Sequence, residues 1–512
     1  MLKEKFGFPV SSPEAQGLSS YDILSFIETV EKEHIELHSL IIMRHGHIVT
    51  EGYWAPFSQH KVHRMFSAGK VVVSTAILFA IQEGLLKLDD RIVDFFPESI
   101  PENPSENLKK MNIYHLLTMT TGHIEDTFAK MLQPGSDRAA LFLNQEVVHE
   151  PGLYFLYNNG VPDILGLILY KVTSLTVFDY LRPRLFEPLG LTGMRVAMNG
   201  HLNELPTMCS TTWDLLKITL LYANGGRWEG KQLLQPQYIK EACSCLVPTI
   251  HDPLPPIVNS DGISGYGYQI WRNSIGGFRL DGGRGQFGIV VPELDLVIAL
   301  NSNEVYSPNI LAVLWEKIAK RLYAKPLTEN TEAFSNLCSK LDALTWSAAE
   351  SCEPREDFSG EYVFDKEFLG REKLSIEFIT GDIYLRTYRN NDVCSLKIGK
   401  PGLWEAGHTP FDFAEQQGGM GVRLDIVTGI DAAGVFSTGR WISSATLEIT
   451  LRSDGWMGAH IIFFDFSTDN LSVTHEDGVS YNLRHRSNYL AAAIPNMDGL
   501  VHSTTVGMKK AN

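Results

Sequence analysis

Two hydrophobic periodicities divide the first 325 residues into helices and strands. Residues 21–32 place apolar side chains three and four positions apart, which is typical of a helix with one buried face. Residues 37–43 and 47–53 form two apolar segments around the turn Arg44-His45-Gly46, which predicts a hairpin. Downstream the pattern predicts an apolar helix over 67–83, strands over 268–272, 278–281, 288–291 and 296–301, and a helix over 311–323. We therefore expect an α+β fold in which helices flank a mostly antiparallel sheet built from both ends of this region.

The pattern changes after residue 325. Residues 326–355 are rich in Thr, Glu, Asn, Ser and Pro and contain one weak helix, so we interpret them as a linker. Beyond Asp357, apolar and polar residues alternate in short segments separated by turns, which predicts a sandwich or small barrel. The predicted organisation is a first domain over 1–325, a linker over 326–355, an all-β domain over 356–487 and a loosely attached tail over 488–512.

Composition excludes several classes of protein. The formal net charge is −16 and no cluster of Lys and Arg is present, which excludes a nucleic-acid partner and disfavours an anionic membrane surface. The apolar run Val71–Ile81 is shorter than the about 20 residues that span a bilayer. The first ten residues lack the apolar stretch of a secretory signal, so we expect no membrane association and a cytoplasmic location.

Neither the histidines nor the cysteines form a metal-ligand pattern. His60 and His63 have helical spacing, but no third ligand lies near them in the sequence. Of the six cysteines only Cys243 and Cys245 are close, and their spacing fits neither a zinc ribbon nor a redox pair. We predict no metal and no organic cofactor.

The segment with the clearest chemistry is Ser67-Ala68-Gly69-Lys70, which runs directly into the predicted apolar helix. Residues three apart share a helix face, so the Ser67 hydroxyl and the Lys70 amine are predicted to meet at the helix start. The N-terminus of a helix stabilises a forming alkoxide. Burial lowers the pKa of a lysine, and a neutral Lys70 can accept the Ser67 proton. The same spacing recurs at Ser58 and Lys61 without an apolar helix behind it, so the spacing alone is a weak signal.

Two further segments supply the groups that acyl transfer needs. Tyr157 is a candidate acid and base beside a lysine, and the Asn159 amide can bind both a lysine and a substrate carbonyl. The glycine-rich run 278–288 contains a formal GxGxxG, but a β-hairpin pattern follows it instead of a helix, which argues against a dinucleotide site. Glycines at a strand edge let a substrate carbonyl approach backbone N–H groups, as an oxyanion hole requires.

The order and spacing of these three segments resemble the serine β-lactamase and penicillin-binding protein superfamily, in particular its class C and esterase-like branch. The segments 38–46, 116–122 and 265–268 are also similar to family segments, and the resemblance covers about residues 10–325. It implies an antiparallel sheet flanked by helices, an all-helical subdomain, acylation of Ser67, and proton transfer by Lys70 and Tyr157.

The resemblance also implies a substrate-binding set. Asn159 would hold the substrate, and the N–H groups of Ser67 and Gly283 would form the oxyanion hole, with Asp281 and Gly282 on the same strand. The C-terminal β-domain resembles small barrel-like modules of some relatives, which would shape the cleft or mediate self-association into a homo-oligomer.

One departure from the family pattern bears on the substrate. Members that bind β-lactams usually carry Lys-Thr-Gly, or His in the first position, where this chain has Leu280-Asp281-Gly282. The cation that holds a substrate carboxylate is therefore missing there, with Arg279 or Arg284 as candidate substitutes. The pair Gly285-Gln286 is similar to that of members that hydrolyse esters or linear amides.

We accordingly predict a serine hydrolase that acts on a small-molecule ester or amide. Two alternatives stay open at this point. One is a β-lactamase or D-amino-acid peptidase with the same mechanism, and the other is a catalytically silent binding protein on the same scaffold.

Overall fold

The computed structural model describes residues 4–131, 137–197, 207–249, 260–390, 392–411, 434–453, 458–468, 470–477 and 502–509. The helices of this part of the chain are α1 Ser20–Lys32, α2 Gly69–Gln82, α3 Ile92–Phe95, α4 Glu106–Lys110, α5 Ile113–Leu117, α6 Phe128–Met131, α7 Arg138–Leu143, α8 Val161–Thr173, α9 Val177–Leu181, α10 Glu187–Leu189, α11 Thr212–Ala223, α12 Pro236–Ala242, α13 Pro308–Lys317 and α14 Thr331–Asp342. The strands of the first domain are β1 Glu4–Lys5, β2 Phe8–Pro9, β3 Leu37–Arg44, β4 His47–Tyr53, β5 His63–Arg64, β6 Arg195–Ala197, β7 Thr207–Ser210, β8 Arg227–Trp228, β9 Lys231–Gln232, β10 Trp271–Arg272, β11 Phe278–Gly282, β12 Gln286–Val291 and β13 Leu296–Ser302.

The predicted α+β fold is confirmed. A six-stranded antiparallel sheet has the order β10-β11-β12-β13-β3-β4, so its middle joins strands from both ends of the domain. Side chains alternate between its faces: Ile42 and Ile298 belong to a core shared with α1 and α13, whereas Ile41 and Ala299 face the core that contains α2 and α11. The sheet thereby separates two apolar cores, and β11, the strand next to the β10 edge, contacts the turn Phe66–Ala68 that leads into α2.

The α2 helix is apolar on all sides because it is surrounded by protein. Nearly every residue from Gly69 to Ala80 is buried, and α2 packs on α8 and α9. A helix that is hydrophobic all round is stable only in such an interior position. Its N-terminal end, which carries Ser67 and Lys70, lies against β11 and β12.

The end of the first domain differs from the predicted boundary at residue 325. Helix α14 is capped by the preceding Asn330, whose side chain accepts a hydrogen bond from the Ala333 N–H, and the helix packs against α1 and β4. Leu337 and Leu344 are buried in the same core as α1 and α13. Much of the predicted linker is therefore part of the first domain, because a short amphipathic helix gains stability by covering the open side of that core.

The C-terminal region is the predicted all-β domain. Its strands are β14 Gly360–Phe368, β15 Arg371–Ile379, β16 Asp382–Arg389, β17 Asp392–Ile398, β18 Glu405–His408, β19 Gly434–Trp441, β20 Thr446–Ser453, β21 Ala459–Asp465, β22 Leu471–Asp477 and β23 His502–Lys509. They form one antiparallel sheet in the order β17-β16-β15-β14-β23-β22-β21-β20-β19-β18. Its two outer strands approach each other, since the Ser437 hydroxyl donates to the carbonyls of both Lys397 and Glu405. The sheet thus curls into a barrel around a third apolar core.

The prediction of a loose tail over 488–512 is wrong for His502–Lys509. This segment is strand β23, which pairs with β14 on one side and β22 on the other and so joins the two halves of the barrel sheet. Pairing on both edges satisfies backbone groups that a solvated tail would leave to water. Residues 488–501 and 510–512 of the predicted tail lie outside the described residues.

The barrel docks on the first domain through buried polar groups. Arg452 of β20 forms an ion pair with Glu36, which in turn lies 3.0 Å from His38 Nε2. The guanidinium of Arg452 also lies 5.6 Å from the centre of the Phe57 ring. The barrel therefore contacts the segment that leads into β5 and Ser67.

Among the described helices, none is by itself long and apolar enough to span a membrane. The bent pair Val161–Thr173 and Val177–Leu189 meets the length and composition of a broken span.

Candidate active site

Ser67 lies in a short 3-10 turn, Phe66–Ala68, that leads directly into α2. Phe66 has a φ of 48°, in the left-handed region that an aromatic residue rarely occupies. Such strained residues concentrate at functional sites, where the surrounding structure holds them in place. The turn leaves Ser67 half-buried at the N-terminal end of a buried helix.

The Lys70 amine is aimed at the Ser67 hydroxyl. Lys70 Nζ lies 2.7 Å from Ser67 Oγ and 2.8 Å from Asn159 Oδ1, and the residue is 4% exposed. Burial lowers the pKa of Lys70 to about 7, although the carboxylates of Asp126, Asp163 and Asp281 act in the opposite direction. Both of these hydrogen-bond partners are neutral, so burial outweighs the distant carboxylates and the amine is available as a base near neutral pH.

Asp126 fixes the position of Asn159, a contact that the sequence analysis did not anticipate. Asp126 accepts hydrogen bonds from Asn159 Nδ2 at 2.6 Å and from the Asn159 backbone N–H at 2.9 Å. The amide oxygen of Asn159 is thereby turned towards Lys70. Asn158 holds the neighbouring loop, because its Oδ1 accepts from the Thr127 hydroxyl at 2.8 Å and from the Gly160 N–H at 3.0 Å.

Tyr157 completes the surroundings of the amine. Lys70 Nζ lies 4.8 Å from the centre of the Tyr157 ring. The ring also has aromatic neighbours: it stacks on Trp271 at 5.6 Å and meets Tyr266 edge-on at 6.2 Å between ring centres. Trp271 and Tyr266 were not predicted as site residues, and they hold the phenol of Tyr157 beside Lys70.

The glycines at the end of β11 permit close approach to the Ser67 turn. A Cβ atom on Gly282 would overlap the Met65 carbonyl oxygen and come within 3.1 Å of the Ala68 nitrogen. Gly283 follows the strand and faces the Phe66 ring. The strand end therefore lies beside the nucleophile turn, as an oxyanion hole made of the Ser67 and Gly283 N–H groups requires.

Asp281 occupies the middle of the segment where the family usually has Lys-Thr-Gly. Its Oδ2 lies 2.8 Å from Arg279 Nε, while 21% of its side chain stays exposed. Burial raises the pKa of Asp281, and the Arg279 guanidinium opposes that shift.

Neither arginine offers the free cation that the sequence analysis considered as a substitute. Arg279 is buried and also donates to the carbonyl of Arg272 at 2.6 Å and to that of Asp261 at 3.4 Å. Arg284 Nη1 donates to Asn303 Oδ1 at 2.8 Å. Both guanidinium groups are engaged by the protein itself.

Comparison with known proteins agrees with this arrangement. The family model described as Beta-lactamase matches residues 26–323, which is more than half of the chain. The chain belongs to the Beta-lactamase family. Members of this family within the penicillin-binding protein superfamily are serine hydrolases, and the matched range contains Ser67, Lys70, Tyr157, Asn159 and the strand β11.

Individual relatives of this Beta-lactamase family member are distant. Protein flp of Staphylococcus aureus (strain MRSA252) is 27% identical over 188 residues, which cover 34% of this chain and 38% of that protein. Penicillin-binding protein 4 of Amycolatopsis lactamdurans is 30% identical over 185 residues, 33% of this chain and 48% of that protein. The octameric penicillin-binding protein homologue from Pyrococcus abyssi superposes with a TM-score of 0.47 at 16% identity, over 88% of this chain and 97% of its own. The chain thus matches less than half the length of these two curated relatives.

The predicted site residues fall into two groups in the structure. Ser67, Lys70 and Asn159 are joined by hydrogen bonds and Tyr157 lies against Lys70, while Asp281, Gly282 and Gly283 form the adjacent strand end. Among the described residues, no group of three His, Cys, Asp or Glu side chains is arranged to hold a metal ion. Asp126 carried no sequence signal beyond its acidity, since it lies 33 residues before Asn159 in a loop.

Proposed function

We propose that this Beta-lactamase family member is a serine acyl hydrolase that forms an acyl-enzyme on Ser67 with a small-molecule ester or amide. The observation that carries the proposal is the 2.7 Å contact between Ser67 Oγ and a buried Lys70 amine whose pKa is about 7. A base with a pKa near the working pH is the most effective in proton transfer.

The reaction follows from these positions. Lys70 Nζ accepts the hydroxyl proton as Ser67 Oγ attacks the substrate carbonyl carbon, whose oxygen becomes an oxyanion facing the Ser67 and Gly283 N–H groups. The bond to the alcohol or amine leaving group then breaks, and the leaving group takes up a proton through Tyr157 and Lys70. A water molecule attacks the resulting ester in the same way, which releases the carboxylic acid and restores the serine hydroxyl.

Asn159 and Asp126 have a positioning role in this scheme. The Asn159 Oδ1 contact holds Lys70 Nζ towards the serine, and Asp126 prevents the amide from rotating. Tyr157 is the proposed acid for the leaving group because its ring lies directly over the amine. Two groups that share one proton network can reverse their roles between acylation and deacylation.

Turnover of β-lactams is not favoured, for an electrostatic reason. These substrates carry a carboxylate, and here Leu280 stands where the family usually has the cation that holds it, with the Asp281 carboxylate as the next residue. Arg279 is tied to Asp281 and to two carbonyl groups and is not displayed to a ligand. An ester or a linear amide without a carboxylate next to the reacting carbonyl suits the site better.

Intact mass spectrometry after exposure to activated esters, linear amides and β-lactams tests the proposal. We expect a mass increase of one acyl group in the wild-type protein and none in Ser67→Ala. Ser58→Ala is the matched control, because Ser58 and Lys61 have the same spacing but Ser58 is exposed. Acylation of Ser67→Ala equal to that of wild type would exclude Ser67 as the nucleophile.

Two rates separate the open alternatives. Hydrolysis of short-chain p-nitrophenyl esters should exceed hydrolysis of nitrocefin, and the reverse order would favour a β-lactamase. A fluorophosphonate probe should label wild type and Ser58→Ala equally. Absence of labelling and of acylation by every compound would identify a catalytically silent binding protein.

A further inference from the structure

The strand end beside Ser67 presents an anion to the substrate. Asp281 lies one residue before Gly282, whose backbone abuts the Ser67 turn, and its charge acts on Lys70. One carboxylate oxygen, Oδ2, is engaged by Arg279, and 21% of the side chain remains exposed. The carboxylate is therefore fixed in direction and still reachable by a ligand.

Two aromatic residues lie next to Asp281. Trp271 pairs with Arg279 across β10 and β11, two residues from Asp281, and its ring stacks on Tyr157. Faces of Trp and Tyr attract cations through the charge distribution of the ring. Here the protein's own cations use these rings, because the Arg279 guanidinium lies 5.7 Å from the centre of the Trp271 ring and Lys70 Nζ lies 4.8 Å from that of Tyr157. The attraction for a charged substrate is therefore left to the Asp281 carboxylate.

Arg279 offsets part of the Asp281 charge through their ion pair, but its guanidinium is itself buried. Arg279 is directed into the protein by its contacts with the carbonyls of Arg272 and Asp261. Lys70 is directed at Ser67 and Asn159 and titrates near neutral pH. A chain with a net charge of −16 adds a long-range attraction for cationic ligands.

We infer that Asp281 selects substrates that carry an ammonium group close to the reacting carbonyl and rejects those that carry a carboxylate there. This inference rests on the proposed function and names its substrate class: cationic esters or amides. Asp281 contacts the ammonium group of the substrate and takes no part in proton transfer at Ser67.

Pairs of esters with the same shape and different charge test the inference. Acetylcholine and its neutral isostere 3,3-dimethylbutyl acetate differ by a charge in the alcohol part. The p-nitrophenyl ester of trimethylammonioacetate and its neutral isostere, the p-nitrophenyl ester of 3,3-dimethylbutanoate, differ by a charge in the acyl part. Each enzymatic rate is divided by the uncatalysed rate of the same ester. We expect kcat/KM of wild type to favour the cationic member of at least one pair by about tenfold. A carboxylate-bearing analogue, 3-acetoxypropanoate, should be the poorest substrate.

Asp281→Asn should reduce the cationic-to-neutral ratio towards one, because an amide keeps the shape and loses the charge. Asp295→Asn is the matched control: Asp295 is an exposed aspartate at the opposite end of the β12–β13 hairpin, and this variant should keep the wild-type ratio. Fluorophosphonate labelling of Ser67 verifies that each variant is folded.

The outcomes separate the two proposals. If Ser67 is acylated but wild type shows no preference for the cation in either pair, the charge selection is wrong and the hydrolase proposal stands. The inference also fails if Asp281→Asn is labelled and keeps the wild-type ratio. If Ser67 reacts neither with the fluorophosphonate nor with any ester or amide, the hydrolase proposal itself fails.

Discussion

Two buried cations of this protein, Lys70 in the active site and Arg452 at the barrel interface, have opposite surroundings. Lys70 touches two neutral groups, the Ser67 hydroxyl and the Asn159 amide, and its three carboxylate neighbours act from a distance. Arg452 is paired directly with the Glu36 carboxylate, which is itself 1% exposed. Burial lowers the pKa of Lys70 to about 7, whereas Arg452 and His38 together outweigh the effect of burial on Glu36 and lower its pKa to about 2.

The difference shows how contact decides the role of a buried charge. A direct ion pair keeps both groups charged over the physiological pH range and makes them structural. A cation surrounded by neutral hydrogen-bond partners loses its proton readily and can serve as a base. The same degree of burial therefore gives a reactive amine in one place and a permanent interdomain link in the other.

The largest expected effect is the loss of the reactive amine. Lys70→Met should slow the labelling of Ser67 by a fluorophosphonate about 10²–10⁴-fold, the usual contribution of a general base. Lys61→Met is the control, because Lys61 belongs to the other Ser-x-x-Lys segment and lies over the Phe436 ring of the barrel. Equal labelling rates in Lys70→Met and wild type would mean that another group accepts the proton.

Removal of the Arg452 cation at the barrel interface should change the stability of the protein and not the reactivity of Ser67. Arg452→Met leaves the Glu36 carboxylate buried without its ion pair, and we expect a loss of about 3–5 kcal/mol in the free energy of unfolding. Urea denaturation measures this, with the barrel and hydrolase transitions followed separately. The double variant Glu36→Gln with Arg452→Met should recover part of the loss. A double variant as unstable as the sum of its single variants would show that the two residues do not interact.

The pH dependence of the fluorophosphonate labelling of Ser67 further distinguishes Lys70 from Arg452. The rate should rise with pH through an inflection near 7, because Lys70 accepts the serine proton only after losing its own. Asp126 raises the pKa of Lys70, so Asp126→Asn should move the inflection to lower pH. Arg452→Met leaves the neighbours of Lys70 unchanged, and its inflection should stay at the wild-type pH. A shift in the opposite direction for Asp126→Asn would contradict the assigned electrostatics.

The smallest expected effect is an acid dependence of stability at the interface. Burial lowers the pKa of His38 from 6.5 to about 4, so the unfolded chain binds the proton first and stability should fall from pH 6.5 towards pH 4. The ion pair adds a second decline below pH 4.5, because the folded pKa of Glu36 is about 2. Urea midpoints between pH 7 and 4 measure the first slope, which should be shallower in His38→Gln. An unchanged slope would exclude His38 as its source.

The sequence by itself determined the elements that depend on local spacing. The serine and lysine three residues apart, the apolar helix behind them and the hairpin from Ile289 to Val297 all follow from neighbouring residues, because helix and strand periodicities act over one or two turns. The family match covers residues 26–323, a range that contains these segments. Tyr157 and Asn159 were predicted as site residues through their motif and its resemblance.

Only the tertiary structure decided the contacts that join distant segments. Asp126 reaches Asn159 from another loop, Arg279 is turned away from the cleft by the Arg272 and Asp261 carbonyls, and Arg452 pairs with Glu36 across 416 residues. The position of β23 likewise depends on two partner strands that come before it in the chain. No local pattern encodes such contacts, because their energy depends on which surfaces the packed cores bring together and how completely they exclude water.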